Sequence, residues 1–148
     1  MTRFFISPGD PSGIGPEITL KALSENKDIQ NNFVLAGDKT LYLDLIDRNN
    51  IDLNLIDESS KETGVIFKHF PLQNQVSFGK PDVANANYII DILSYGALGC
   101  LKKEFKGLIT GPINKELINE SGFEFSGHTE FLSDLSLIHI SEPTRLLR

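Results

Sequence analysis

The chain of 148 residues has a single cysteine, Cys100. No disulfide can form within it, which fits a reducing compartment. No His lies near Cys100 in the sequence, so it reads as a small apolar residue inside a helix and not as a nucleophile. Long apolar runs are also missing. Hydrophobic residues make up 40% of the chain, but each run meets a charge or a turn residue well short of the roughly 20 residues that cross a bilayer. Near the N-terminus, Phe4-Phe5-Ile6 stops at Pro8 and Gly9 with no small-residue cleavage site. No export signal is read, and the expected location is the cytoplasm. Basic clusters are lacking as well: 14 Lys and Arg stand against 20 Asp and Glu, a net charge of −6. Without a run of cations interleaved with aromatics, neither nucleic acid nor a membrane surface is an expected partner. There is no internal repeat, low-complexity segment or linker. The length suits one domain with a real core.

What is present is an alternation of strand-like and helix-like segments. Arg3 to Ser7 is a short β-rich run, followed by a turn-rich stretch to Gly15. Pro16 and Glu17 then open a helix carrying Ile18, Leu20 and Leu23. Phe33 to Ala36 is a second apolar run closed by Gly37. Asp38 is placed to cap a helix with Leu41, Tyr42, Leu45 and Ile46 on one face. Ile51, Leu53 and Leu55 alternate with polar neighbours and predict a strand over 51–56, and Val65 to Phe70 predicts another. From Asp82 the apolar residues Val83, Ala86, Ile90, Leu93, Ala97 and Leu101 keep a helical spacing. Gly107 to Thr110 predicts a strand, Gly111-Pro112 a turn, and Asn114 to Ser121 a helix stopped by Gly122. Alternation of this kind predicts an α/β fold with a largely parallel sheet and flanking helices.

Two segments carry candidate chemistry. The first, Ser-Pro-Gly-Asp-Pro-Ser-Gly-Ile-Gly-Pro-Glu over residues 7–17, lies between a strand and a helix. Such a loop brings the backbone close to a ligand, and the helix start offers free N–H groups. It is not a dinucleotide fingerprint, because Ile18 occupies the third glycine position. It is not a P-loop either, because no Gly-Lys-Ser/Thr follows. Asp10 and Glu17 would repel a phosphate if they faced it. From the residues alone, a tight turn that needs glycine for its backbone angles is the favoured account of the loop.

The second segment runs from Ile109 to Leu132. A strand delivers Thr110, a turn presents Asn114 and Lys115, and after a helix Gly127-His128-Thr129-Glu130 opens another. Thr129 reads as the N-cap of that last helix. An imidazole, a hydroxyl and free backbone N–H groups together suit a phosphate monoester or a carboxylate. The plainer alternative makes Thr129 a simple cap, His128 a surface histidine and Lys115 a solvated charge.

The run Gly9 to Glu17 resembles the N-terminal signature of the 4-hydroxythreonine-4-phosphate dehydrogenase family. It is also similar to the shorter signature that opens the isocitrate and isopropylmalate dehydrogenases. Ile109 to Leu132 matches the same family more specifically. The likeness extends from about Phe4 to about Leu135 and is weakest between Asp38 and Leu72, and Asn87 stands where many members have glycine. This resemblance implies the first half of the isocitrate/isopropylmalate dehydrogenase-like fold. It implies oxidation of 4-phosphooxy-L-threonine, on the route to pyridoxal phosphate, with NAD or NADP and a divalent metal (Zn, Mg or Co). It places His128 and Thr129 on the phosphorylated substrate and Gly13 and Ile14 near the nicotinamide. A homodimer is implied in the same way. A sister dehydrogenase of threonate or erythronate 4-phosphate carries the same signatures. A non-catalytic module binding a phosphorylated metabolite is the reading from a different class.

After Ser136 the resemblance ends. Residues 1–136 are read as a partial α/β dehydrogenase domain. Residues 137–148 look similar to translated sequencing-adapter read-through, so His139 is set aside. Family members continue with three metal-ligating histidines and further substrate and cofactor residues. No catalytic or metal-ligating residue is therefore assigned in this chain, and it is expected to be inactive by itself. Its sheet is expected to have an unpaired edge, and Ile90, Leu93 and Ala97 are expected to be partly bare.

Overall fold

The computed structural model describes residues 2–141, with side chains as far as residue 137. Of the tail read as foreign, residues 142–148 lie outside the described residues, as does the side chain of His139. The apolar runs form five parallel strands: β1 (Arg3–Ser7), β2 (Phe33–Gly37), β3 (Leu55–Ile56), β4 (Val65–His69) and β5 (Phe105–Thr110), in the order β3-β4-β2-β1-β5. The helices are α1 (Gly15–Glu25), α2 (Lys39–Arg48), α3 (Ala86–Leu101), α4 (Lys115–Glu120) and α5 (His128–Ser141). The α/β class expected from the alternation is what the chain adopts.

The strand order explains the layering. From β1 the chain steps through α1 to β2 and through α2 to β3 at the edge, then comes back one place to β4, between β3 and β2. From β4 it returns across the sheet through α3 to β5, on the other side of β1. Right-handed crossovers require helices of opposite stepping direction to lie on opposite faces. They do: Leu20 and Leu23 of α1 and Tyr42 and Leu45 of α2 pack with Ile6, Leu35 and Val65. Ile89, Ile92 and Leu93 of α3 pack with Phe5, Ala36, Ile118 and Phe125 on the reverse. β1 is thus buried on both sides, with Phe5 at 0% and Ile6 at 6% exposure, as parallel sheets demand.

Three expectations are corrected. The strand over 51–56 shrinks to Leu55–Ile56, which pairs with Val65 and Ile66. Upstream, the Ile51 N–H donates to the Ile46 carbonyl, so that stretch closes the end of α2 and does not enter the sheet. The helix expected from Asp82 starts with a single 3₁₀ turn, Val83–Asn85, held by the Asp82 carboxylate on the Ala84 N–H, before α3 begins. Ile90, Leu93 and Ala97 are not bare: all three are buried, because α3 fits between the sheet and α5. The sheet does end in an open strand, β5, beside which Ala97, Cys100, Leu101, Leu108 and Leu132 line an apolar groove. Partial burial pushes the Cys100 thiol pKa up, away from the reactive thiolate. No helix among the described residues is long and apolar enough to cross a membrane.

Asp38 ties the layers together. Its carboxylate accepts from the Leu41 N–H, capping α2 at 3.1 Å, and from the Leu72 N–H at 2.8 Å, while its own N–H donates to the Tyr88 hydroxyl of α3 at 2.9 Å. Burial pushes the Tyr88 phenol pKa well above its ordinary value. Asp38→Ala is expected to lower unfolding free energy by about 2 kcal/mol, since it removes a cap and a loop tether together. Leu93→Ala is expected to cost about 2–5 kcal/mol. Urea titrations check both, and a Leu93→Ala variant as stable as the parent would contradict the burial described here.

Candidate functional site

In an open α/β sheet the crevice for ligands lies beyond the C-terminal ends of two neighbouring strands whose connections leave toward opposite faces. Here those strands are β1 and β5. β1 leads into α1 on one face, and β5 leads into α4, whose Ile118 belongs to the core on the other. Both sequence signatures begin at that point.

The two loops are in direct backbone contact. The Asp10 N–H donates to the Pro112 carbonyl at 3.1 Å, and the Gly111 N–H donates to the Ser7 carbonyl at 2.7 Å. A Cβ on Gly15 or on Gly111 would lie 2.0 Å from the Pro8 oxygen, and one on Gly9 would lie 2.2 Å from the Pro112 oxygen. Gly9 also holds φ at +89°, a region that side chains disfavour. Inside the loop, Asp10 Oδ1 accepts from the Ser12 N–H at 2.8 Å and the Ser12 hydroxyl at 2.7 Å, and the Gly13 N–H donates to the Asp10 carbonyl. The carboxylate is therefore turned into the loop through Oδ1 and is mostly buried there.

The sequence reading placed Gly13 and Ile14 at a cofactor. Ile14 precedes α1 without a side-chain cap and is 68% exposed, an unusual position for a large apolar residue. It borders a cleft of about 410 Å³ together with Gly13, Glu17, Arg48 and Phe78. Phe78 comes from the segment after β4, which is held down by the Gly79 N–H donating to the Ser12 carbonyl at 2.8 Å. The Arg48 guanidinium lies 5.6 Å above the Phe78 ring and pairs with Asp44 at 2.9 Å. A larger cleft of about 540 Å³ adjoins across Arg48 and Phe78 and is lined by Asp38 and the amides Gln73, Asn74 and Gln75. Nothing in the spacing of the sequence singled out Arg48 or Phe78, because only tertiary folding brings them to the loop. Asp10 carried a readable signal, since Asp-Pro-Ser-Gly is a turn-forming run.

In the second signature, Asn114 Oδ1 caps α4 through the Leu117 N–H at 3.1 Å, and Asn119 Oδ1 accepts from the Phe125 N–H at 2.6 Å. Lys115 is the first, exposed residue of α4. Thr129 is not the cap of α5, because the helix already begins at His128 and the Phe131 N–H donates to the Gly127 carbonyl. Thr129 therefore sits inside the first turn. The Ser126 hydroxyl donates to the Glu130 carboxylate beside it. His128 is not a plain surface histidine. Its Nε2 is enclosed without a hydrogen-bond partner among the described residues, and its ring stands edge-on to Phe125 at 5.8 Å. Neither of the two clefts is lined by His128 or Thr129. Among the described residues no group of three His, Cys, Asp or Glu side chains forms a metal donor set.

A family model described as the pyridoxal phosphate biosynthetic protein PdxA matches residues 28–145. The 4-hydroxythreonine-4-phosphate dehydrogenase of Vibrio parahaemolyticus is 35% identical over 141 residues, covering 90% of this chain and 42% of the relative. That of Pseudomonas aeruginosa is 35% identical over 153 residues, covering 98% and 45%. The crystal structure of 4-hydroxythreonine-4-phosphate dehydrogenase from Klebsiella pneumoniae is similar with a TM-score of 0.80 at 26% identity, over 91% of this chain and 44% of that one. The chain spans less than half the length of the relatives it matches.

The glycines of the first loop separate by mechanism. Gly15→Ala is expected to destabilise by about 1–3 kcal/mol, because a methyl there meets the Pro8 carbonyl. Gly13→Ala is expected to stay within about 0.5 kcal/mol, because its Cβ would make only ordinary contacts, 3.5 Å from the Asp10 oxygen. Thermal melts of the two variants check the contrast, and equal losses would refute it.

Proposed function

Because the chain belongs to the PdxA family of pyridoxal phosphate biosynthetic proteins, we propose that the whole protein is a nicotinamide-dependent dehydrogenase of a small phosphorylated substrate, 4-phosphooxy-L-threonine. The observation that carries this reading is the joining of both signature loops at the C-terminal ends of β1 and β5, where such a sheet binds ligands. The substrate's secondary alcohol loses a hydride from carbon and a proton from oxygen, leaving a β-keto acid. Loss of carbon dioxide from that acid yields 3-amino-2-oxopropyl phosphate. When bound, NAD or NADP supplies the hydride acceptor.

The described residues serve binding in this scheme. Gly13 and Ile14, with Phe78 across the cleft, give an exposed apolar surface suited to the flat nicotinamide. His128, the Thr129 hydroxyl and the first backbone N–H groups of α5 supply donors for the phosphate end. The divalent ion implied by the family finds no donor set among these residues, and no step is assigned to it here. Cytoplasmic location and a homodimer belong to the same proposal.

The test is kinetic. In the full-length protein, His128→Ala is expected to raise KM for 4-phosphooxy-L-threonine or lower kcat at least tenfold, equivalent to about 1.4 kcal/mol. Unchanged kinetics would remove His128 from the substrate site. Faster turnover of threonate 4-phosphate or erythronate 4-phosphate by the parent would move the activity to a sister dehydrogenase.

A further inference from the structure

We infer that Asp10 is the positioning residue of this site: its carboxylate holds the glycine loop in the shape that docks on the Gly111–Pro112 turn. What the loop then presents, Gly13 and Ile14 to a nicotinamide, rests on the function proposed above; the positioning does not.

Asp10 is only 7% exposed. A carboxylate taken out of water is costly unless its oxygens are hydrogen-bonded or paired with a cation. Among the described residues no Lys or Arg forms an ion pair with it. Among the described residues its donors both come from one residue two positions on, the N–H and hydroxyl of Ser12, itself 2% exposed. A carboxylate so arranged closes a turn. It also leaves Ser12 dependent on it, since without Oδ1 two buried donors lose their acceptor.

The turn has consequences on both sides of Asp10. Its carbonyl receives the Gly13 N–H, which sets the peptide leading to Ile14, and its own N–H crosses to the Pro112 carbonyl. One residue therefore links the exposed end of the loop to the turn that leads into Asn114 and Lys115. Beyond Gly13, the Ser12 carbonyl receives the Gly79 N–H, so the Phe78 side of the cleft hangs from the same turn. These contacts reach three chain segments, and neither Asp10 nor Ser12 belongs to either hydrophobic core.

Amide hydrogen exchange on the 148-residue chain reads this directly. Asp10→Ala is expected to lower protection of the Ser12, Gly13 and Gly111 amides at least tenfold, while the Leu35 and Phe67 amides of β2 and β4 stay within about threefold of the parent. Asp10→Asn keeps an acceptor oxygen in the same place and is expected to retain protection at Gly111. Asp10→Glu keeps the charge but carries it one methylene too far and is expected to lose it. Should Asp10→Ala fail to fold, the comparison of Asn with Glu decides. Equal protection in those two variants, or a loss in Asp10→Ala spread uniformly over β2 and β4, overturns the inference. Titrating NADH into the parent separates the two readings. Perturbed Gly13 and Ile14 amides support the cofactor assignment. An inert loop, with the Asp10 results as expected, removes that assignment and leaves the positioning role standing.

Discussion

Everything at the functional end of this molecule depends on how closely two backbones approach. The carbonyl of Pro8 points into the space where a side chain on Gly15 or Gly111 would begin, and the carbonyl of Pro112 fills the corresponding space at Gly9. Two prolines and three glycines thus form a joint with no room for side chains between its halves. The prolines fix the direction of each carbonyl through their restricted φ, and the glycines let the opposing chain come near enough to hydrogen-bond. The joint crosses the boundary between the two helix-covered faces of the sheet. It therefore fixes the exit of β1 relative to the exit of β5, and with them the starts of α1 and α4.

Much of the architecture could be read from the sequence because its causes are local. The Asp38 cap, the stop at Gly122 and the buried faces of α1 and α2 depend on residues within a turn or two of each other. The parallel sheet followed from alternation of element types. Reading failed where a distant partner decided the outcome. Ile51 to Asn54 alternates like a strand, but the end of α2 takes up the Ile51 N–H first. Thr129 has the chemistry of a cap, but Gly127 begins the helical ladder two residues earlier than that role allows.

The same distinction holds for the candidate site. The glycine loop and the His128 segment are legible as motifs because turn chemistry is written in consecutive residues. The cleft beside Ile14 is not, because Arg48, Phe78 and Gly13 are separated by long stretches of chain and are brought together only by the tertiary fold. His128 falls in between. Its presence was readable, but the enclosure of Nε2 beside Phe125 depends on how α5 packs against α3.

The two sides of the sheet end differently. β3 contributes two residues and so offers little backbone to a newcomer, whereas β5 contributes six and has no neighbour on its outer side among the described residues. Exposed rows of N–H and C=O groups act as templates, and short strands are one of the ways proteins blunt them. Growth of this sheet is therefore polar: the β3 side is self-terminating, and the β5 side is a live end where any further strand, whatever its origin, would register its backbone. Lys106 is the only charge along that end, and its ammonium is drawn over the Phe4 ring, so the strand has little electrostatic protection against being extended.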